Sequence, residues 1–249
     1  ALRLNTASNN LAVGHCAMDA NSSGTENTAL GFVALNKNTT GDFNTALGRG
    51  ALNANTTADN NTGVGHCALF ANTTGTSNVA VGNNSLKTQT TADGNTAIGS
   101  DTLCTVTSSA GGNTAVGQKA LEDDTTGFYN TAVGSLSLCQ NTTGAYNVAI
   151  GREALKNNTT ACFNIAVGRN ALLDNTTGKC NVGMGYGALA NNTTADNNVA
   201  IGANSMEINT TGANNVALGF NSLQANTTAS NNTAVGCGAG TANTTGVSN

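Results

Sequence analysis

The chain has 249 residues, of which 4% are aromatic and 9% charged, with 31 Gly, no Pro, no Trp and a net charge of -4. Large apolar residues are too few for a thick globular core, yet an apolar content of 39% with so little charge is not the composition of a disordered chain. The 9 Lys and Arg lie scattered, which excludes a basic stripe for nucleic acid, and no apolar run reaches the ~20 residues that a membrane-crossing helix needs.

In chain order, the first ten residues, Ala1 to Asn10, read as a partial phrase. No signal peptide opens the chain, and a first residue other than Met reads as a processed product or an excerpt of a longer array. From Leu11 onward one phrase repeats: [TV]-A-[VIL]-G-x-x-[AS]-L-x-x-N-T-T-[GA]-x-x-N. Its glycine falls at Gly14, Gly31, Gly48, Gly65, Gly82, Gly99, Gly117, Gly134, Gly151, Gly168, Gly185, Gly202, Gly219 and Gly236. The spacing is 17 except for one step of 18, whose extra residue lies within 104–113. Such constancy predicts an all-β fold, a parallel β-solenoid (β-roll or β-helix) spanning 1–249 as a single array, with full coils over 11–249. Two helices per repeat would need about 33 residues or more, and the Gly and Thr-Thr-Gly of each phrase would break them.

Within a coil, the closing Asn and positions 1 to 3 are predicted to form a strand, and the Gly at position 4 to turn the corner. Positions 7 and 8 are predicted as a second strand and Asn-Thr-Thr as a third. Fourteen to fifteen coils at ~4.8 Å each make a rod roughly 70 Å long. Like residues then stack, so that Asn27, Asn44, Asn61, Asn78, Asn95, Asn113, Asn130, Asn147, Asn164, Asn181, Asn198, Asn215, Asn232 and Asn249 form one amide ladder and the Asn of position 11 forms another. Ladders are expected to stand in for the missing core.

Position 2 accepts only Gly63, Gly183 or alanine: Ala12, Ala29, Ala46, Ala80, Ala97, Ala115, Ala132, Ala149, Ala166, Ala200, Ala217 and Ala234. Adjacent strand residues face opposite ways, so if the aliphatic of position 3 points inward, these alanines point outward and form a candidate interface that another copy covers. The alternative turns the alanines into a narrow interior and leaves an aliphatic stripe outside. Either arrangement predicts lateral association.

The strings "NTAVGxxAL" and "NTTGxxN" resemble two related groups. They are similar to the left-handed parallel β-roll repeats in the heads of trimeric autotransporter adhesins, and more closely to the arrays of phage tail-fibre-like and bacterial surface proteins. The adhesin repeats are commonly shorter. The resemblance covers the whole chain and implies a left-handed coil, a homotrimer, and a fibre shaft or adhesin segment that is extracellular, on a cell surface or on a virion.

Reactive residues do not converge. His15-Cys16 and His66-Cys67 recur at positions 5 and 6 three coils apart, roughly 14 Å, too far to share a metal. Seven Cys in no metal or disulfide spacing read as small fillers, with Cys162 and Cys180 near enough in the repeat to pair. The cluster Glu122 to Asp124 reads as a solvated patch. No catalytic, cofactor or metal site is expected, and no enzyme.

The NTT triplets meet the glycosylation rule at Asn38, Asn55, Asn72, Asn141, Asn158, Asn175, Asn192, Asn209, Asn226 and Asn243, although a ladder explains the same residue. The function expected is a structural fibre or adhesin shaft that associates side by side and end to end, with itself as main partner and a surface receptor or glycan as another. The competing reading is an ice-binding or other lattice-binding solenoid, with outward ranks of Asn at position 11 and Thr at position 13. Neither nucleic acid nor membrane insertion is expected.

Overall fold

A computed structural model describes residues 1–107 and 110–248. Among these residues the regular structure is fourteen strands of three residues, one per phrase. They are β1 (Leu11–Val13), β2 (Thr28–Leu30), β3 (Thr45–Leu47), β4 (Thr62–Val64), β5 (Val79–Val81), β6 (Thr96–Ile98), β7 (Thr114–Val116), β8 (Thr131–Val133), β9 (Val148–Ile150), β10 (Ile165–Val167), β11 (Val182–Met184), β12 (Val199–Ile201), β13 (Val216–Leu218) and β14 (Thr233–Val235). The chain divides into two compact units, Ala1–Phe128 with β1 to β7 and Tyr129–Asn249 with β8 to β14.

Each unit is a parallel β-solenoid whose strands stack in chain order. Partners lie one phrase apart: Ala12 faces Ala29 in the first unit, and Ile165 faces Val182 in the second. The single step of 18 is visible where Thr96 faces Thr114, while residues 108 and 109 of the inserted phrase, and the ladder residue Asn249, lie outside the described residues.

The corner glycines require what their recurrence suggested. Gly31 has φ +145, and a Cβ there would sit 2.4 Å from the carbonyl oxygen of Gly48 in the next coil. No side chain fits between backbones that close.

The rest of the turn is built differently from the expectation. Positions 7 and 8 form turns and the Asn-Thr-Thr stretch forms bends, so the second and third strands are absent. The cause is local: positions 6, 8 and 16 adopt the left-handed conformation, as at Val33 (φ 51), Leu35 (φ 50) and Phe43 (φ 59). These residues close a full turn in 17 positions. Coil-to-coil backbone bonds persist without strand geometry, from Leu35 N–H to the Ala51 carbonyl at 2.9 Å and from Thr39 N–H to the Thr56 carbonyl at 2.8 Å.

The interior also corrects the predicted side of position 2. Ala29, Ala46, Ala80, Ala97, Ala115, Ala132, Ala149, Ala166, Ala200 and Ala217 are fully buried inside their own coils, Ala234 nearly so and Ala12 half so. They are core, not interface. The leucine of position 8 fills the remaining space from the opposite wall, at Leu35, Leu52, Leu155 and Leu172 among others. Where the alanine is replaced by Gly183, an added Cβ would lie 3.0 Å from the Ala188 carbonyl oxygen and 3.2 Å from Leu172 Cγ. So narrow an interior has room for a methyl group and nothing larger. Each buried leucine contributes about 1.5–3 kcal/mol of transfer free energy.

Polar columns line the other walls. In the column of closing asparagines, Asn27 Oδ1 accepts from Asn44 N–H at 2.9 Å, and Asn44 Nδ2 donates to the Ala58 carbonyl at 2.8 Å. In the column of position 11, Asn38 Nδ2 donates to Asn21 Oδ1 at 2.7 Å and to the Gly41 carbonyl at 2.9 Å. Both columns are buried over most of their length, so each amide that leaves water meets a coil-to-coil partner.

Candidate interaction surface

The strands leave two outward positions per coil, 1 and 3, on either side of the buried alanine. Position 3 is aliphatic in every coil, and many of these side chains are open to solvent: Leu30 is 50% exposed, Ile98 41% and Ile150 41%. Neither position carries a charge in any phrase. Stacking at ~4.8 Å turns them into two parallel ranks on the sheet face of each unit.

The two units differ in what flanks the aliphatic rank. In Ala1–Phe128, position 1 is Thr on five strands: Thr28, Thr45, Thr62, Thr96 and Thr114. In Tyr129–Asn249 it is a β-branched aliphatic on five successive strands: Val148, Ile165, Val182, Val199 and Val216. Position 16, at the corner before each strand, adds an aromatic ladder to the second unit. The Tyr129 and Tyr146 rings lie 5.6 Å apart, and the Tyr146 and Phe163 rings lie 5.1 Å apart and nearly parallel at 4°. These rings are 60%, 45% and 57% exposed. Sequence reading took position 16 as freely variable. The signal was three successive aromatics in one column, hidden because position 16 elsewhere holds Asn, Glu, Ser, Gly, Cys or a single Phe.

The residues considered for chemistry stay apart. His15 stacks on Phe32 at 5.5 Å. Arg49 Nη1 donates to His66 Nε2 at 2.9 Å, which leaves Nδ1 to donate to Asn83 Oδ1 at 3.2 Å. No disulfide joins any of the seven cysteines, and the Cys162 thiol accepts the Ala145 N–H at 3.4 Å in place of any bridge to Cys180. Burial pushes the Cys104 thiol up, helped by the carboxylates of Glu122, Asp101 and Asp123 against Lys87, which favours its protonated form. Among the described residues no group of three His, Cys, Asp or Glu is placed to hold a metal ion, and no helix is long and apolar enough to cross a membrane.

The acidic triplet is not one solvated patch. Glu122 pairs with Lys119 at 3.0 Å, Asp123 faces solvent, and Asp124 is buried at position 11, where its Oδ1 accepts the Gly127 N–H at 3.1 Å. The position-11 column changes character in this region, running Gln89, Val106, Asp124. Val106 offers no acceptor to the next coil, and the next coil there holds a side chain that, ionised, has nothing to donate.

Burial also alters the reading of the glycosylation triplets. Asn38, Asn55, Asn72, Asn141, Asn158, Asn175, Asn192, Asn209 and Asn226 are fully buried, and Asn243 is half-buried with its amide on the Gly246 carbonyl. Their Nδ2 atoms, the atoms a glycan would join, point into the wall of the coil. The same burial removes the Asn rank, one of the two on which lattice binding was premised, while the Thr of position 13 lies outward as expected, at Thr40, Thr57 and Thr74. The neighbouring Thr of position 12 is engaged too, as Thr56 Oγ1 donates to the Thr73 carbonyl at 3.1 Å.

No protein-family model matches the chain, and a search of curated proteins returns no match.

Proposed function

We propose that the chain is a segment of a structural fibre or adhesin shaft, displayed outside the cell or on a virion, in which solenoids associate side by side. The supporting observation is the charge-free face of positions 1 and 3 on each unit, set on a coil with no interior space for a ligand. An aliphatic rank held in water at every coil is a standing drive to associate, of the kind that marks interaction surfaces. Three copies is the stoichiometry that the resemblance to trimeric adhesin heads implies.

Sedimentation equilibrium of the purified chain tests the proposal. A discrete oligomer, three copies being the expected number, supports it. A monomer at all accessible concentrations overturns side-by-side association.

A further inference from the structure

Resting on that reading, we propose that the lateral contact is made by the unit Tyr129–Asn249, whose aromatic-flanked strand face packs dry against the equivalent unit of each neighbouring copy around a shared axis. The first unit's equivalent face takes no main part in it.

What separates the two faces is the hydroxyl groups. A dry contact over Ala1–Phe128 would strip water from Thr28, Thr45, Thr62, Thr96 and Thr114, whose hydroxyls would meet only aliphatic side chains across the contact. Taking a hydroxyl out of water without a new partner costs as much as, or more than, its neighbouring aliphatic gains. At the same strand position the second unit presents Val148, Ile165 and Val182 with no such penalty. Ile165 is already 40% exposed.

The aromatic ladder points the same way. Tyr146 and Phe163 hold each other in a parallel stack, so little side-chain freedom remains to be lost when they are covered. Aromatic rings supply large area, and tyrosine hydroxyls at a contact edge remain wet. In the first unit position 16 holds Phe43 among Glu26, Asn60 and Ser77, and no ladder forms there.

A second copy is the occupant that the geometry fits. Every outward column repeats at the coil spacing, so two copies present ridges and grooves of identical pitch and can interdigitate as sheets with matched side-chain rows do. With rows ~4.8 Å apart and outward residues ~6.8 Å apart, the position-3 rank, the five aliphatics of position 1 and the three rings of position 16 cover roughly 500 Å² before corrugation. That lies high in the range for the largest patch on an ordinary monomer and is over half of the ~800 Å² per partner of a stable complex. The absence of charge at positions 1 and 3 removes any repulsion between identical faces.

The test uses the full chain and compares matched positions in sedimentation velocity, with circular dichroism confirming the fold. Ile165→Lys is expected to dissociate the oligomer, and Thr45→Lys, the same strand position in the first unit, to leave it assembled. Ile165→Thr, which restores a residue native to that position in seven coils and so preserves folding, is expected to weaken association about tenfold. An oligomer that survives Ile165→Lys, or that Thr45→Lys dissociates equally, overturns this inference and leaves the side-by-side reading standing. A monomeric wild-type chain overturns both.

Discussion

At the scale of single residues, the left-handed positions set the geometry of the turn, and most are filled by residues that disfavour it. Val33 is β-branched and sits at φ 51, while other coils place Asn84, Asn170, Asn204 and Asn221 at the same position. Left-handed backbone costs such a residue about 1–2 kcal/mol, and asparagine tolerates it best after glycine. Val33→Asn is therefore expected to stabilise the chain by about 1 kcal/mol, read as a higher urea midpoint with unchanged slope. Gly31→Ala works the other way. The methyl group would meet the Gly48 carbonyl oxygen at 2.4 Å, so a loss of about 3 kcal/mol or more is expected by the same measurement. The corner glycine was legible in the sequence because no other residue ever occupies it. The left-handed Val33 and Leu35 were not, because backbone bonds to the neighbouring coils, to the His15 carbonyl and the Ala51 carbonyl, hold them there against their own preference.

Asp123 gives a pH-dependent signature at the same scale. Partial burial raises its pKa, and Glu122 beside it raises it further, against Lys119. The folded chain therefore holds this proton to higher pH than the unfolded chain does, so stability should rise slightly as pH falls through the carboxylate range. Asp123→Asn removes that contribution, and the difference between the two stability profiles across this range measures it.

The element at the next scale is the coil with its amide columns. Asn55 Nδ2 bonds Asn38 Oδ1 at 2.9 Å and the Ala58 carbonyl at 3.0 Å, while Asn55 Oδ1 accepts from Asn72 at 3.0 Å. Asn55→Ala orphans buried groups on both neighbouring coils, and a loss of about 2–3 kcal/mol is expected in equilibrium unfolding. Because the same amides are buried, expression in a glycosylating secretory host should leave these triplets unmodified, with an intact mass equal to that of the bare polypeptide. The columns could be read from the sequence, since only stacking explains Asn recurring at two fixed places. Which strand face turns inward could not. Alternation fixes that positions 2 and 3 oppose each other, but the choice between them is made by Leu52 and Leu172, whose bulk leaves position 2 only a methyl's space beside them.

Over the molecule as a whole, constancy of period makes the coil a module. Deleting residues 45–61 would remove one coil and bring Thr28 opposite Thr62, the same pairing one phrase on. That variant is expected to unfold cooperatively in thermal circular dichroism, whereas deleting nine residues from the same segment, which leaves one coil too short to close, is expected to lower the midpoint and broaden the transition. The proposed contact surface was only half legible at this scale. An aliphatic stripe was foreseen as one alternative, but the aromatic column of Tyr129, Tyr146 and Phe163 was hidden by reading each phrase separately and not down the stack.

The tight meeting of position 2 with the leucine of the preceding coil, as at Gly183 and Leu172, has an evolutionary corollary. A coil packed to this density has nowhere inside to develop a pocket, so novelty must be written on its skin.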